Sequence, residues 1–97
     1  MPHLVFSQSA LQDLERLRRF LAQKHPLASR RAMQAIRSHL VPLASTPEMG
    51  RPLPTLPGVR EIVIPFGDGG YIARYKYLPE SDEVRIGRIW HQREAGF

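Results

Sequence analysis

A stretch rich in proline and glycine, residues 44–58, lies near the middle of the chain and constrains the fold more than any other feature. Its breakers are Pro47, Gly50, Pro52, Pro54, Pro57 and Gly58. Because such residues interrupt helices and strands alike, we predict an ordered loop without regular secondary structure. This loop is too short and too mixed in composition to link two domains. The 97 residues are therefore predicted to form a single domain, residues 1–97, with one modest core.

The residues before this loop begin with the pattern of an amphipathic helix. Ser7 or Ser9 can cap its start, and the helix is predicted to stop near Lys24. Apolar residues recur at helical spacing at Leu14, Leu17 and Leu21. The remaining, polar faces carry Asp13, Glu15, Arg16, Arg18 and Arg19.

A second helix is predicted to begin at Pro26, which suits a first helical turn, and to end before Pro42. Its buried stripe is marked by Ala32, Ile36 and Leu40. Because the link between the two helices is short, we expect them to form an antiparallel hairpin. The apolar side of that hairpin needs another layer to cover it.

Strands are predicted after the loop, over residues 59–66, 71–78 and 84–91, with hairpin turns between them. Consecutive strands with such short connections are antiparallel. Residues 4–6 form a brief strand at the start of the chain and add a fourth member. The predicted fold is α+β: a short N-terminal strand and an antiparallel helical hairpin packed on a small, three- to four-stranded antiparallel sheet.

The chain is basic, with a formal net charge of +5 and a pI near 10.4. Twelve of its fourteen basic side chains are arginine, whose planar fork pairs with phosphate or carboxylate, so an acidic partner is expected. The sequence contains no cysteine, signal-peptide pattern or membrane span, and we expect a cytoplasmic protein. The histidines are scattered without ligand spacing, so neither a metal site nor a cofactor is indicated.

Candidate functional residues gather towards the end of the chain, where His91 stands between Arg88 and Arg93. A histidine titrates near neutrality, and flanking guanidiniums favour an anionic partner. Strand alternation and a bulge at Gly87 allow several cations to converge with this histidine on one uncovered face of the sheet. The predicted set is Arg60, Arg74, Lys76, Arg88 and His91. The simpler interpretation is that these are ordinary solvated side chains and that His91 merely ends a strand.

Three local motifs occur in a recognisable order and spacing. They are Gly58-Val59-Arg60-Glu61, Gly70-Tyr71 followed by Tyr75, and Ile89-Trp90-His91-Gln92-Arg93. Together with the order of the predicted elements, they resemble the RelE/ParE superfamily of toxins from type II toxin-antitoxin systems. The resemblance covers essentially the whole chain. It implies a plasmid- or chromosome-encoded bacterial toxin that is silenced by its cognate antitoxin.

The superfamily has two activities, and the resemblance leaves both open. A RelE-like member is a ribosome-dependent mRNA endoribonuclease, for which Arg60, Arg74 and His91 are the candidate catalytic residues. A ParE-like member inhibits DNA gyrase and is not an enzyme. The ParE-like branch is favoured, because the His91-Gln92-Arg93 ending is similar to the His-Gly-Arg type of ending of ParE-like members and because Phe97 stands where many ribonucleases carry a tyrosine. Ile72 stands where members often carry an arginine, which weakens the transfer of individual residue roles from the family.

Either activity needs one surface for the target and another for the antitoxin. The target-binding candidates are Arg60, Arg74, Lys76, Arg88, His91 and Arg93. The antitoxin is expected to form a hetero-oligomer with the toxin by docking an acidic or amphipathic C-terminal segment across the helical hairpin. The antitoxin-binding candidates are Arg18, Arg19, Arg30 and Arg31. A third alternative is a small basic nucleic-acid-binding module whose sheet face tracks phosphates.

Overall fold

The secondary structure follows the order that the sequence predicts. The computed structural model describes residues 2–94. The strand β1 (His3–Phe6) precedes the helices α1 (Gln8–Ala22) and α2 (Pro26–Leu40). The later strands are β2 (Arg51–Pro52), β3 (Val59–Phe66), β4 (Gly69–Leu78) and β5 (Glu83–His91). Short 3-10 helices occupy Val41–Ala44, Pro47–Met49 and Pro79–Ser81.

Local chemistry at the helix ends explains where the helices begin and stop. The Ser7 side chain accepts a hydrogen bond at 3.0 Å from the backbone N–H three residues on, which confirms Ser7 as the N-cap of α1. Pro26 is the first residue of α2, which ends before Pro42 as predicted. The buried stripe of α2 is confirmed for Ala32, Ile36 and Leu40. Within residues 2–94, neither helix has the length and apolar character needed to cross a bilayer.

The sheet has five strands in the order β1-β5-β4-β3-β2, more than the three or four predicted. It is also mixed rather than antiparallel, because β1 runs parallel to β5, with His3 opposite Glu83 and Phe6 opposite Ile86. Parallel pairing is possible since the long chain between β1 and β5 serves as the crossover. The remaining neighbours pair in the antiparallel sense, as predicted.

The proline- and glycine-rich loop contains regular structure that its composition did not predict. Arg51 and Pro52 form β2 and pair with Glu61 and Arg60 of β3. Proline is tolerated here because an edge strand leaves one side of its backbone outside the ladder of hydrogen bonds. The prediction of a loop without regular secondary structure is therefore wrong for residues 51–52 and for the 3-10 helix at Pro47–Met49.

The side chain of Tyr75 forms hydrogen bonds with the turn before β2. The Tyr75 hydroxyl donates to Pro47 O at 2.7 Å and accepts from Gly50 N at 2.7 Å. Burial raises the pKa of Tyr75, so the hydroxyl stays a hydrogen-bond donor to a higher pH than an exposed tyrosine would. A Cβ at Gly50 would lie 2.5 Å from the hydroxyl oxygen, so this close approach requires glycine.

The core lies between the two helices and one face of the sheet. The predicted alternation along β4 is confirmed, because its tyrosine side is buried while Arg74 and Lys76 lie on the other face. The pairing skips Gly87, since Arg74 lies opposite Arg88 and the next residue of β4 lies opposite Ile86, and this confirms the predicted bulge. The buried residues that the sheet contributes to this core are Ile62, Ile64, Tyr71, Ala73, Tyr75, Val84, Ile86 and Ile89.

Candidate functional site

The cations predicted to share one uncovered face of the sheet are divided between its two faces. Arg60 and His91 lie opposite tyrosines of β4 whose rings are buried, so both belong to the face that the helices cover. Arg74 and Lys76 belong to the opposite face. The predicted convergence is therefore wrong, because it needed a pairing register that the order of residues along the chain does not specify.

Arg60 contacts the loop before β2. Its Nη1 donates hydrogen bonds to Glu48 O at 3.1 Å and to Gly50 O at 2.7 Å. Gly50 also donates to the Tyr75 hydroxyl, so one arginine and one tyrosine hold the same turn. A role for Arg60 in binding a target stays a prediction. A target group would compete with these two carbonyl oxygens for the Arg60 guanidinium.

On the open face, Arg74 is held by two neighbours. Its Nε and Nη2 donate to Glu61 Oε2 at 3.0 and 2.8 Å. Its guanidinium lies 4.9 Å from the centre of the Trp90 ring, within the range of a cation-π contact. Lys76, on the same strand and face, is exposed. Of the two candidates on the open face, Arg74 is therefore restrained by its neighbours and Lys76 is solvated.

Asp13, placed on a polar helix face by the sequence, is buried and only 2% exposed. Its carboxylate accepts hydrogen bonds from Arg88 Nε at 2.9 Å, Arg16 Nη1 at 2.6 Å and Ile89 N at 2.8 Å. Burial opposes ionisation, but the hydrogen bonds from Arg88, Ile89 and Arg16 outweigh it and lower the pKa of Asp13. Arg88, predicted to face the target, is thus bound to the first helix.

The side chains of Asp13 and Arg16 also form hydrogen bonds with the backbone at the edge of β5, where, within residues 2–94, no strand lies alongside. The strand β1 accompanies β5 only as far as the pair of Phe6 and Ile86. Further along, Asp13 accepts from Ile89 N at 2.8 Å, and Arg16 Nη2 donates to Ile89 O at 3.3 Å. Side chains of α1 therefore satisfy backbone groups that would otherwise form an unpaired edge.

His91 lies beside a cavity between α1 and the end of β5. Its ring meets the Tyr71 ring edge-on, with 5.4 Å between the centres, and its Nδ1 accepts a hydrogen bond from Arg93 N at 3.1 Å. The neutral ring therefore carries its proton on Nε2. The cavity of ≈ 530 Å³ has a largely apolar wall and a charged rim, formed by Arg16, Leu17, Phe20, Leu21, Tyr71, His91, Arg93 and Glu94. Across residues 2–94, His, Asp and Glu side chains nowhere gather in threes that could hold a metal ion.

The helix arginines predicted to meet an antitoxin lie on exposed surfaces. Arg18 and Arg19 both pair with Glu15, at 2.7 and 2.8 Å. The hydrogen bond from Arg18 is the main cause that lowers the pKa of Glu15 to about 2. Arg30 and Arg31 are exposed on α2. The structure brings the first two together around one carboxylate and leaves the other two on the neighbouring helix.

Sequence reasoning missed Asp13, Arg16 and Glu94 as parts of this region. Asp13 did carry a signal, because it precedes Leu17 by one helical turn and so shares the buried stripe of α1. Glu94 carried none, since its contact with a residue of α1 depends on tertiary structure. Phe97, used above to weigh ribonuclease activity, lies outside the described residues.

Comparison with known families shows which class of protein this chain is. Residues 4–96 match the family model described as the ParE toxin of the type II toxin-antitoxin system parDE. The chain belongs to this toxin family. Toxin RelE1 of Caulobacter vibrioides is 36% identical to it over 91 residues, which cover 94% of each protein. Toxin RelE3 of the same organism is 38% identical over 85 residues, 88% of each protein.

Solved structures share the fold of this ParE-family toxin. A chain of the chromosomal ParDE toxin-antitoxin system from P. aeruginosa superposes with a TM-score of 0.77 at 24% identity, covering 94% of this chain and 96% of that one. A chain of the intact E. coli RelBE toxin-antitoxin complex gives a TM-score of 0.69 at 18% identity, covering 98% and 100%. At such identities the likeness concerns the fold, and it confirms the predicted RelE/ParE-like architecture.

Proposed function

We propose that this toxin acts by binding and inhibiting DNA gyrase, in the ParE-like manner, rather than by cutting RNA. The observation that carries the proposal is the separation of the three candidate catalytic residues. Arg74 lies on the open face of the sheet, whereas Arg60 and His91 lie on the covered face. Cleavage of RNA needs a general base, a general acid and cations around one phosphate. Side chains divided in this way suit a binding surface better than such a centre.

The contacts of the two arginines support the same proposal. Arg60 donates to two backbone carbonyls, and Arg74 forms an ion pair with Glu61 at 2.8 Å. A guanidinium held by a carboxylate has to leave that partner before it can stabilise a phosphate in a transition state. A surface that recognises a protein by shape and charge has no such requirement.

A RelE-like ribosome-dependent mRNA endoribonuclease is the second candidate. The observation that favours it is the pair of Caulobacter vibrioides relatives, which are named Toxin RelE1 and Toxin RelE3. The general nucleic-acid-binding module considered from the sequence does not account for the family match over residues 4–96.

For the contact with the target we propose the end of β5 and the turn after it, with Arg74 and Lys76 on the open face as additional contacts. His91 and Arg93 lie there at the rim of the cavity beside α1. An arginine and an imidazole beside an apolar wall combine polar recognition with burial of apolar surface, as the centre and rim of protein interfaces do.

Two assays on the purified toxin test the proposed target. We expect the toxin to abolish supercoiling of relaxed plasmid by gyrase and to leave mRNA on translating ribosomes intact. Binding to gyrase explains the first result, and the separated catalytic candidates explain the second. The matched control is the same toxin preparation saturated with the product of its neighbouring gene. Cleavage of mRNA at ribosome-stalled codons together with unaffected gyrase would establish the RelE-like alternative.

We further propose that the cognate antitoxin docks on the helical hairpin through an acidic, amphipathic segment. A groove of ≈ 610 Å³ between the hairpin and β1 offers apolar surface, lined by residues that include Leu4, Phe6, Leu11, Leu14, Met33 and Val41. Leu11 and Val41 are 56% and 53% exposed, so the folded toxin leaves part of this apolar surface open to a partner. Arg30 and Arg31 lie on the exposed surface of α2.

Reversing one charge on α2 tests this docking site. We expect Arg30→Glu to weaken binding of the antitoxin about tenfold, because it replaces an attraction on the exposed surface of α2 by a repulsion. The control Lys76→Glu makes the same change of charge on the face of the sheet away from the helices and should leave the dissociation constant unchanged. Isothermal titration at two salt concentrations measures both variants. Equal weakening by both substitutions would argue against docking on the hairpin.

A further inference from the structure

The turn that follows β5 is held by the carboxylate of Glu94. Glu94 Oε1 accepts a hydrogen bond from His91 N at 2.8 Å, and Glu94 N donates to His91 O at 2.9 Å. The same carboxylate accepts from Arg16 Nε at 3.1 Å and from Arg16 Nη2 at 3.2 Å. Glu94 therefore stabilises the turn through hydrogen bonds to His91 and connects it to α1 through Arg16.

The Arg16 side chain is held in place by the buried carboxylate of Asp13. Its Nη1 donates to Asp13 Oδ1 at 2.6 Å, and the Asp13 side chain is 3% exposed. Asp13 is fixed in turn by Arg88 and by the backbone of Ile89. A continuous chain of charge-assisted hydrogen bonds thus runs from the core to Glu94 at the surface.

The turn carries the two groups that the proposed function places against the target. Arg93 N donates to His91 Nδ1 at 3.1 Å, so the backbone of the turn and the orientation of the imidazole are linked. The imidazole also packs against the Tyr71 ring in an edge-to-face arrangement, with 5.4 Å between the ring centres. Movement of Glu94 would shift the turn and with it both His91 and Arg93.

We propose that Glu94 is a positioning residue of the toxin: through Arg16 and Asp13 it fixes the turn that presents His91 and Arg93. This inference rests on the proposal that the end of β5 contacts the target, and it holds for either target. A turn that moved freely would present the same charges in many orientations, and ordering them on binding would reduce affinity.

Glu94→Gln tests the inference, because glutamine has nearly the same size and can still accept the hydrogen bond from His91 N. It lacks the negative charge that holds Arg16. We expect growth inhibition on induction to fall by about tenfold or more. The melting temperature should fall by less than about 4 °C, since the ion pair lost is partly exposed. The 15N resonances of the His91 imidazole should shift, because the turn that orients the ring is no longer fixed. If Glu94 contributed only to stability, these resonances would stay unchanged in the folded toxin.

Two further variants complete the test. Glu94→Asp retains the charge and should restore part of the toxicity, whereas Glu15→Gln removes an exposed carboxylate of α1 and should leave toxicity unchanged. Full toxicity of Glu94→Gln would overturn the inference. Loss of toxicity with an unchanged His91 imidazole would also overturn it, because Glu94 would then act directly on the target. Failure of the gyrase proposal shows separately, as a wild-type toxin that stops growth without inhibiting gyrase.

Discussion

Replacing Asp13 by alanine is expected to lower the free energy of unfolding by about 3 kcal/mol, near the lower end of the cost of breaking a buried ion pair. The substitution leaves Ile89 N without its acceptor and removes the carboxylate that neutralises Arg16 and Arg88. The cost stays near the lower end because both arginine side chains are partly exposed, 39% and 43%, and can regain water. Urea unfolding at neutral pH measures the effect.

The matched control is Glu15→Ala, two residues away on the same helix. Glu15 also pairs with two arginines, Arg18 and Arg19, but its side chain is 45% exposed. Exposed pairs contribute little, so we expect a loss below about 1 kcal/mol. If the two substitutions proved equally costly, the burial of Asp13 would not be the reason for its importance.

Acid should destabilise the protein through the same carboxylate. The pKa of Asp13 is lower in the folded protein than in the unfolded chain, where it is about 3.9. Its contribution is therefore fully present above the unfolded pKa and is lost as the pH falls through the folded pKa. We expect the free energy of unfolding of the wild type to decrease steeply below about pH 4, and Asp13→Asn to flatten that decrease. An unchanged slope in Asp13→Asn would assign the acid sensitivity to other carboxylates.

Replacing Tyr75 by phenylalanine should cost about 2–4 kcal/mol, because one hydroxyl satisfies two backbone groups. Gly50 N loses its acceptor and Pro47 O its donor, and Gly50 is itself buried. The loss should loosen the turn before β2 first, since within residues 2–94 the side-chain hydrogen bonds that still join this turn to the sheet are those of Arg60. Hydrogen exchange of Gly50 N, measured beside global unfolding, separates local from global loss.

Tyr77→Phe is the control for that substitution. Tyr77 lies two residues further along the same strand and face, and within residues 2–94 its hydroxyl has no hydrogen-bond partner. We expect its stability to match the wild type within about 0.5 kcal/mol. A large loss in Tyr77→Phe would show that the aromatic hydroxyls of β4 stabilise the sheet in some general way.

Much of the fold was predictable because it depends on local patterns. The cap at Ser7, the proline at the start of α2 and the apolar spacing of both helices are properties of short segments. The alternation along the strands likewise needs only neighbouring residues. What these patterns did not contain was β2, whose Pro52 argues against a strand until β3 lies beside it, and the parallel pairing of β1 with β5.

The candidate site was less predictable for the same reason. The side chains of Arg60 and Arg74 were correctly assigned to their strands, but their partners, two loop carbonyls and Glu61, belong to other segments. Asp13 was misassigned because a charged residue on a helix is normally solvated, and its burial is compensated only in the folded protein, by hydrogen bonds from Arg88, Ile89 N and Arg16.

The sequence by itself determined the class of this molecule: two amphipathic helices before a sheet, a basic arginine-rich surface and motifs that resemble RelE/ParE toxins. These follow from periodicity, capping and composition, which act over a few residues. Only the tertiary structure decided which cations share a face, that Asp13 is buried against Arg88, and that Glu94 ties the turn after β5 to Arg16. The physical reason is that strand register and ion pairing join separate segments of the chain, where no local pattern specifies the partner; the ion pairs of Asp13 with Arg88 and of Arg16 with Glu94 join residues more than seventy positions apart.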